Sequence, residues 1–466
     1  MGEIRFGTDG WRGVIAREFT FARVAQVAAA AATVLADVYG DGPLLVGYDR
    51  RFLSEEFAQT AAQAAAAAGF RVWLANQAAP TPALSYGVRQ QGAIGALVIT
   101  ASHNPPIYNG LKVKGAFGGS IPPEMTQQIE ARLSQPVPQR PGGCVTPFDP
   151  WPGYVQALQQ QVDVAAIRAG LQHWQVWADP MHGAAAGGLT RLVGNVVQEL
   201  RTQRDVLFGG HPPEPLPPYL EELRTTLQRH HGNQVGLVFD GDGDRIAAMD
   251  GQGQFLSPQV LIPLLIEHLA QRRGLTGRVV KTISGSELIR KTAAYYNLPV
   301  VETPIGFKYI AQEMLKGDVL LGGEESGGIG YGHYLPERDA LLSALYLLEA
   351  VALTQKPLEV LYRELQEKTG FYSVYDRIDL PLTNAASRDR LEQQLAAHPP
   401  TVIADTDVVN TWSGDGYKFY LADQSWLLIR LSGTEPLLRL YCEAPTPERV
   451  QAILAWARQW AATVAQ

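Results

Sequence analysis

The sequence predicts an α/β protein: three related mixed-sheet α/β domains followed by a smaller C-terminal α+β domain. Three observations lead there. A chain of 466 residues exceeds what one hydrophobic core organises, so several domains are expected. Short apolar runs alternate with longer helical patterns through most of the chain, as strands do in sheets covered by helices on both faces. The stretch 368–466 then changes character, with two strands flanking a loop and a helix after them. The domains are placed at 1–150, 151–253, 254–367 and 368–466.

In the first unit a glycine-punctuated loop, FGTDGWRG over 6–13, carries Asp9 and Arg12. A helix is expected over 20–38. Its uncharged stretch 24–36 is too short and too weakly apolar to cross a bilayer and reads as buried. A strand over 44–48 ends in Asp49-Arg50-Arg51, and Ser54-Glu55-Glu56 has the form of an N-cap with an acidic first turn. An alanine-rich helix to 68, a strand over 71–75, a helix over 82–90 and an apolar strand over 93–99 complete the alternation. The proline- and glycine-rich stretch 135–152 reads as a linker. The second unit opens with a strand over 175–178 and closes with one over 235–239. Gly251 and Gly253 mark the next boundary. The third unit holds a helix over 257–271, strands over 279–283 and 300–303, and a closing helix over 357–367. In the last, strands over 427–431 and 437–441 precede a helix over 447–461.

Composition narrows the function classes. Apolar residues make up 46% of the chain and charged residues 18%, an ordinary globular balance. The formal net charge of −7 and the lack of any Lys/Arg run argue against nucleic acid or an anionic membrane as partner. An anionic ligand would therefore need a local cationic patch. Two cysteines, Cys144 and Cys442, cannot form a disulfide framework, and Arg5 and Asp9 interrupt any signal-type segment. The expected location is cytoplasmic.

Four loops carry chemistry. TASHNPPIYNGLK, over 100–112, follows an apolar strand and breaks at Pro105 and Pro106, so Ser102 sits where a strand has just ended. With His103 beside it, Asn104 and Asn109 as donors and Lys112 downstream, its hydroxyl suits a nucleophile or phosphate carrier. A capped turn before two prolines is the alternative. DGDGDR, over 240–245, sets Asp240, Asp242 and Asp244 at alternating positions, a donor set for a hard divalent cation. An EF-hand is excluded, because Arg245 and Gly251 stand where Gly and Glu are required; an acidic β-turn is the alternative. GGEESGG, over 322–328, offers Glu324 and Glu325 as an acid/base pair, as hydroxyl acceptors or as a solvated turn. RLSGTEP, over 430–436, has the makings of a phosphate cradle in Arg430, Ser432, Gly433 and Thr434, or is a plain hairpin loop. Neither a serine-hydrolase G-x-S-x-G elbow nor a Walker-type G-x-x-x-x-G-K occurs.

These four loops, in this order, resemble those of the α-D-phosphohexomutase superfamily, the phosphoglucomutases and phosphomannomutases, over essentially the whole chain. The resemblance implies four domains around a central cleft. TASHNP is similar to the family's phosphoserine loop, which makes Ser102 the phosphoryl carrier and a neighbour of the metal. DGDGDR is similar to its magnesium loop, with Asp240, Asp242 and Asp244 as Mg²⁺ ligands. GGEESG resembles the sugar-recognition loop, Glu324 and Ser326 reading the O3 and O4 hydroxyls, and RLSGTEP resembles the phosphate-binding loop. The same resemblance lines the cleft with Arg12, Arg51, His103, Lys112, Arg245 and, in TPIGFKY, Lys308. Lys112 is the implied general acid/base, and Lys112 or His103 would take the proton of the attacking hydroxyl; with Ser102, Arg12 and Arg245 they make the implied catalytic set.

Within the family, the phosphomannomutase/phosphoglucomutase and phosphoglucosamine mutase branches usually carry a histidine directly after the S-G of the sugar loop. Gly328 stands there in this chain, and the nearest histidine is His333. With GFKY and Arg338-Asp339, this resembles the α-phosphoglucomutases more. The implied reaction is reversible transfer between glucose 1-phosphate and glucose 6-phosphate, with glucose 1,6-bisphosphate as intermediate and activator. Phosphomannomutase, phosphoglucosamine mutase and hexose 1,6-bisphosphate synthase activities are the alternatives. The expected partner is a phosphosugar substrate, with no nucleic acid or membrane, and the chain a monomer or weak homo-oligomer.

Overall fold

The computed structural model describes residues 3–465 apart from 8, 136–140, 383–384 and 433–436. Four sheets follow one another along the chain. The first runs, in spatial order, Trp11–Val14, Tyr108–Gly115, Gly95–Ile99, Leu44–Tyr48, Arg71–Ala75 and Cys144–Phe148. The second runs Phe255–Leu256, Ile246–Met249, Gln234–Phe239, Gln175–Asp179 and Val197–Glu199. The third runs Val300–Thr303, Arg278–Thr282, Val319–Gly323, Ile329–Tyr331 and Leu335–Arg338. The last is antiparallel throughout, from Val374–Pro381 to Val402–Ile403. It is backed by the helices Ala385–Ala397 and Pro447–Ala465.

One device recurs in the first three units and explains where the chemistry lies. In each, a buried parallel strand ends in a loop and the chain returns as an antiparallel neighbour. Gly95–Ile99 returns as Tyr108–Gly115, Gln234–Phe239 as Ile246–Met249, and Val319–Gly323 as Ile329–Tyr331. The serine, aspartate and glutamate loops are these three connections. Strands enclosed on both faces read as unbroken apolar runs, as GALVI and QVGLVF do. Their loops therefore emerge at the carboxyl ends of the strands, where open α/β sheets bind ligands.

The cores decide how the units sit together. The helix Phe21–Tyr39 is long and apolar enough, by length and composition, to cross a membrane, against the expectation of a segment too short to do so. Val24, Val27, Val34 and Leu35 on it are nevertheless enclosed against the helix Ser54–Ala67, inside the first unit's core. The helix Ala340–Thr354, ALLSALYLLEAVALT, is buried all round over 340–352. It lies in one continuous core shared by the second and third units. At about 1.5–3 kcal/mol per enclosed leucine, that helix is what holds the two sheets together. The last unit docks on the third through Trp426, Leu428 and Tyr441 against Ile283. There the buried Glu443 carboxylate accepts the Trp426 indole N–H at 2.6 Å, the Glu287 amide at 2.8 Å, and the Ser286 and Ser373 hydroxyls.

Two local expectations are corrected. Cys144–Phe148 is an edge strand of the first sheet, parallel to Arg71–Ala75, where a linker over 135–152 was expected. Its proline is tolerated because an edge strand need not donate on its outer side. Ser54 does not cap its helix: Leu53 holds the cap position in the left-handed region, and Ser54 donates inward to Asp49 at 2.7 Å.

Candidate active site

The three loops converge. The Thr81 amide donates to the Asp242 carbonyl at 2.9 Å, and the Ile246 amide to the Gly327 carbonyl at 3.0 Å. A Cβ on Gly241 would stand 2.4 Å from the Ser102 carbonyl oxygen, so that glycine is what lets the aspartate loop lie against the serine loop.

Ser102 is almost fully enclosed and has φ +53, a left-handed conformation that a non-glycine residue holds only when its surroundings enforce it. The enforcers are visible. Its amide donates to Thr100 Oγ1 at 2.9 Å, and Arg51 takes its carbonyl. Arg51 was expected along the cleft; it lies beneath the loop with no exposed surface. Its Nη2 donates to the carbonyls of Ser102 and Asn104, both at 2.6 Å, and its Nη1 to those of Pro105 and Tyr108. Asp49 completes this anchor, 3.3 Å from Arg51 Nε and accepting the Thr100 hydroxyl at 2.6 Å. Loop carbonyls without a β-ladder must find donors, and one guanidinium satisfies four of them.

Ser102 Oγ donates to Asp240 Oδ2 at 2.9 Å, and His103 Nδ1 lies 3.3 Å from the same Oγ. Carboxylate oxygens of Asp240, Asp242 and Asp244 lie within 4.8 Å of one another, all buried. The other Asp240 oxygen accepts the Asp244 and Arg245 amides. Burial, with Asp242 and Asp244 beside it, pushes Asp240 well above the usual carboxylate range. Burial acts the same way on Asp242, but Lys112 outweighs it and holds that group below its ordinary value. Asp242 Oδ1 and Asp244 Oδ1 are enclosed and have no hydrogen-bond partner among the described residues. A buried carboxylate oxygen left so costs about 1–3 kcal/mol, and hard oxygens converging in this way fit a divalent cation such as Mg²⁺.

Lys112 is buried between Asp242 at 2.8 Å, Asp244 at 2.9 Å and Asp9 at 2.9 Å. Burial alone would lower its pKa, but the three carboxylates prevail and hold it above the lysine range. A lysine so held carries its proton, the acid form of the general acid/base role expected of it. His103 is the opposite case. Burial, then Arg245 and Arg12, push it well below the usual histidine range, so it is neutral. Glu214 faces its other nitrogen at 4.0 Å.

Arg12 donates to the Asn104 side chain, and Arg245 Nε lies 3.9 Å from Asp244. Glu324 is buried beside Arg338, 3.9 Å away, and burial raises its pKa. Glu325 points elsewhere, to Arg377 of the last unit at 3.2 Å. Ser326 is half-buried on the same loop, and Lys308 is half-buried at the start of the helix Phe307–Leu315, over the Tyr309 ring. Arg430 is paired through Nε with Asp415, and the buried Ser432 passes its carbonyl to Arg388. Gly433 and Thr434 lie outside the described residues. His333 is not brought to the loops. It sits at the far end of the strand Ile329–Tyr331, 2.9 Å from the Tyr346 hydroxyl, because three residues of extended chain carry it away from Glu324.

Sequence reasoning assigned no role to Asp9, Arg338, Glu214 or Asp49. Arg338 Nη2 reaches Asp244 at 2.8 Å and also bonds Asp9. Its stem fills the room at Gly328, where a Cβ would stand 2.3 Å from Arg338 Cδ. The signal for Arg338 was its place in the Arg338-Asp339 pair, at the end of the short strand LPER, where it and Glu337 are both buried.

Comparison with known proteins agrees with this geometry. Profiles of the phosphoglucomutase/phosphomannomutase family match in order: α/β/α domain I at 3–139, domain II at 152–253, domain III at 257–369, and the C-terminal domain at 382–458. A protein of Methanothermobacter thermautotrophicus provisionally named a phosphoglucosamine mutase is 31% identical, over 96% of this chain and 95% of its own. The phosphoglucosamine mutase of Levilactobacillus brevis is also 31% identical, over 96% of both chains. A Thermus thermophilus crystal structure, provisionally described as a phosphomannomutase, superposes with a TM-score of 0.87 at 36% identity, over 98% of this chain and 99% of that one. This chain belongs to the phosphoglucomutase/phosphomannomutase family, within the α-D-phosphohexomutase superfamily.

Proposed function

We propose that this chain is a phosphohexomutase that moves a phosphoryl group between the 1- and 6-positions of a hexose by way of Ser102. The observation that carries the reading is a buried serine held in a left-handed turn, 2.9 Å from one of three converging aspartates. Asp240, Asp242 and Asp244, with Ser102, would hold Mg²⁺, which when bound would offset their charge and polarise the phosphoryl group. A sugar hydroxyl attacks the phosphorus on Ser102, and the Oγ–P bond breaks as the new O–P bond forms. His103 carries the proton from that hydroxyl to Ser102 Oγ, which is left as a hydroxyl. The bisphosphorylated sugar then turns round, and the reverse transfer restores phosphoserine. Lys112 and Arg338 keep positive charge against the aspartates, and Glu324 and Ser326 are set to read sugar hydroxyls.

For the sugar, the phosphoglucosamine mutases among the relatives support glucosamine phosphate better than the glucose phosphate expected from the loop pattern. Glucose phosphate remains the second reading because Gly328 stands where the glucosamine branch usually carries a histidine, and Arg338 fills the room a Cβ there would take. A kcat/KM series over the 1-phosphates of glucosamine, glucose, mannose and galactose tests this. Glucosamine is expected to lead and galactose, epimeric at O4, to trail. Glucose ahead of glucosamine selects the second reading, and no turnover of any of them sinks both.

A further inference from the structure

The phosphate end of the site depends on an aspartate to which neither the motifs nor the comparisons give a role. Asp415 occupies the tip of a tight hairpin, between Gly414 and Gly416, which face each other across the strands Thr406–Gly414 and Gly416–Leu421. Gly416 has φ +106, and a Cβ there would meet the Ile429 carbonyl at 2.9 Å and Arg430 Cβ at 3.1 Å. Only glycine lets the tip fold down onto the strand that carries Arg430. The carboxylate then works in two directions. One oxygen accepts Arg430 Nε at 2.8 Å, and the other accepts the Ile305 amide at 2.9 Å. Ile305 lies in TPIGFK, the turn that presents Lys308, and belongs to the third unit.

An isolated, partly exposed Arg–Asp pair stabilises a fold little, so this contact matters for geometry more than for stability. Held by Nε, the guanidinium is fixed in plane and rotation. Its two terminal nitrogens make no hydrogen bond among the described residues and form the edge that binds a phosphate in bidentate fashion. The second bond ties that edge to the turn of the third unit that leads into the helix Phe307–Leu315, on which Lys308 stands.

We propose that Asp415 is a positioning residue that orients Arg430 and couples it to the Lys308 turn, presenting both to the phosphate of the substrate remote from Ser102. This rests on the function proposed above. The test compares wild type with Asp415→Ala and Asp415→Asn in KM and kcat for glucosamine 1-phosphate. It also compares the Kd of inorganic phosphate by titration calorimetry. Asp415→Ala is expected to raise both KM and that Kd about tenfold, with kcat within about threefold, because alignment rather than chemistry is lost. Asp415→Asn, whose amide oxygen still accepts one of the two donors, falls between. Unchanged KM and Kd overturn the proposal, and so do lower values, which would show the carboxylate competing with phosphate. A joint fall of kcat and melting temperature without the rise in phosphate Kd overturns it as well, by showing a structural role. If Asp415→Ala does not fold, Asp415→Asn carries the same comparison. If wild type turns over no hexose phosphate while the phosphate Kd still rises in the variants, the proposed function fails and this inference stands.

Discussion

Ser102 and the aspartates around it invert each other's ordinary chemistry. A hydroxyl that donates to Asp240 is held in place, and burial with the like-charged neighbours pushes Asp240 above the usual carboxylate range. His103, neutral, is the other group beside Ser102, 3.3 Å from the same Oγ. Ser102→Ala should therefore abolish mutase turnover by several orders of magnitude with little change in melting temperature, since only one buried hydroxyl is removed. Intact mass should show a phosphate on the wild type and none on the variant; robust turnover by the variant ends the serine reading. Asp242→Asn removes one of the two enclosed, unpartnered carboxylate oxygens. Titration calorimetry with Mg²⁺ should show at least tenfold weaker binding, while the Kd of the hexose phosphate changes little. Equal Mg²⁺ affinity in variant and wild type means the cation sits elsewhere.

At the scale of the element, the serine loop is held from behind by a charged group with no exposed surface. That group is Arg51, with four carbonyls and Asp49 as partners. Arg51→Ala leaves Asp49 enclosed without its cation and four loop carbonyls without donors, a loss of about 3–5 kcal/mol. The expected result is a fall in denaturant midpoint together with loss of activity. A folded variant of normal stability that loses only sugar-phosphate affinity would return Arg51 to the cleft. The loops are hairpin connections, so their ends are fixed by strand register and only their middles need such support.

Across the whole molecule, the buried helix Ala340–Thr354 makes the second and third units one body. Asp339 caps it, accepting the Leu342 amide and the Tyr154 hydroxyl on one oxygen, while the other is enclosed without a partner among the described residues. Burial pushes Asp339 up to about 7, against the pull of the Leu342 amide and Tyr154. A carboxyl raised in the fold binds its proton there more tightly than in the unfolded chain. It therefore stabilises fully at pH below its unfolded value, and that contribution fades as pH climbs through about 7. Asp339→Asn keeps a good cap without the titration. Urea midpoints of the two proteins should lie closest at pH 5, and the variant should gain on wild type by pH 8, at about 1.4 kcal/mol per pKa unit expressed. A constant difference across that range would mean Asp339 is ionised throughout.

The reactive loops and the unit order were legible in the sequence because each rests on short-range rules. A doubly enclosed strand must be an apolar run, a loop must follow it, and three aspartates separated by glycines have few uses. Arg430 and Glu324 were singled out the same way. What the sequence could not settle was direction. Arg12 and Arg51 look alike in the chain, yet Arg12 meets Asn104 beside the cleft while Arg51 turns under the loop. His333 is near Glu324 in sequence and a strand's length away in space. Glu324 and Glu325 are adjacent, but alternate sides of the chain send one to Arg338 and the other to Arg377. Lys112 is paired in the fold with Asp9, far off in sequence, as well as with Asp242 and Asp244. Local patterns name the residues, since they depend on neighbours in the chain. Their charge states and partners depend on groups that only packing brings within a few ångströms, and these the tertiary structure alone decides.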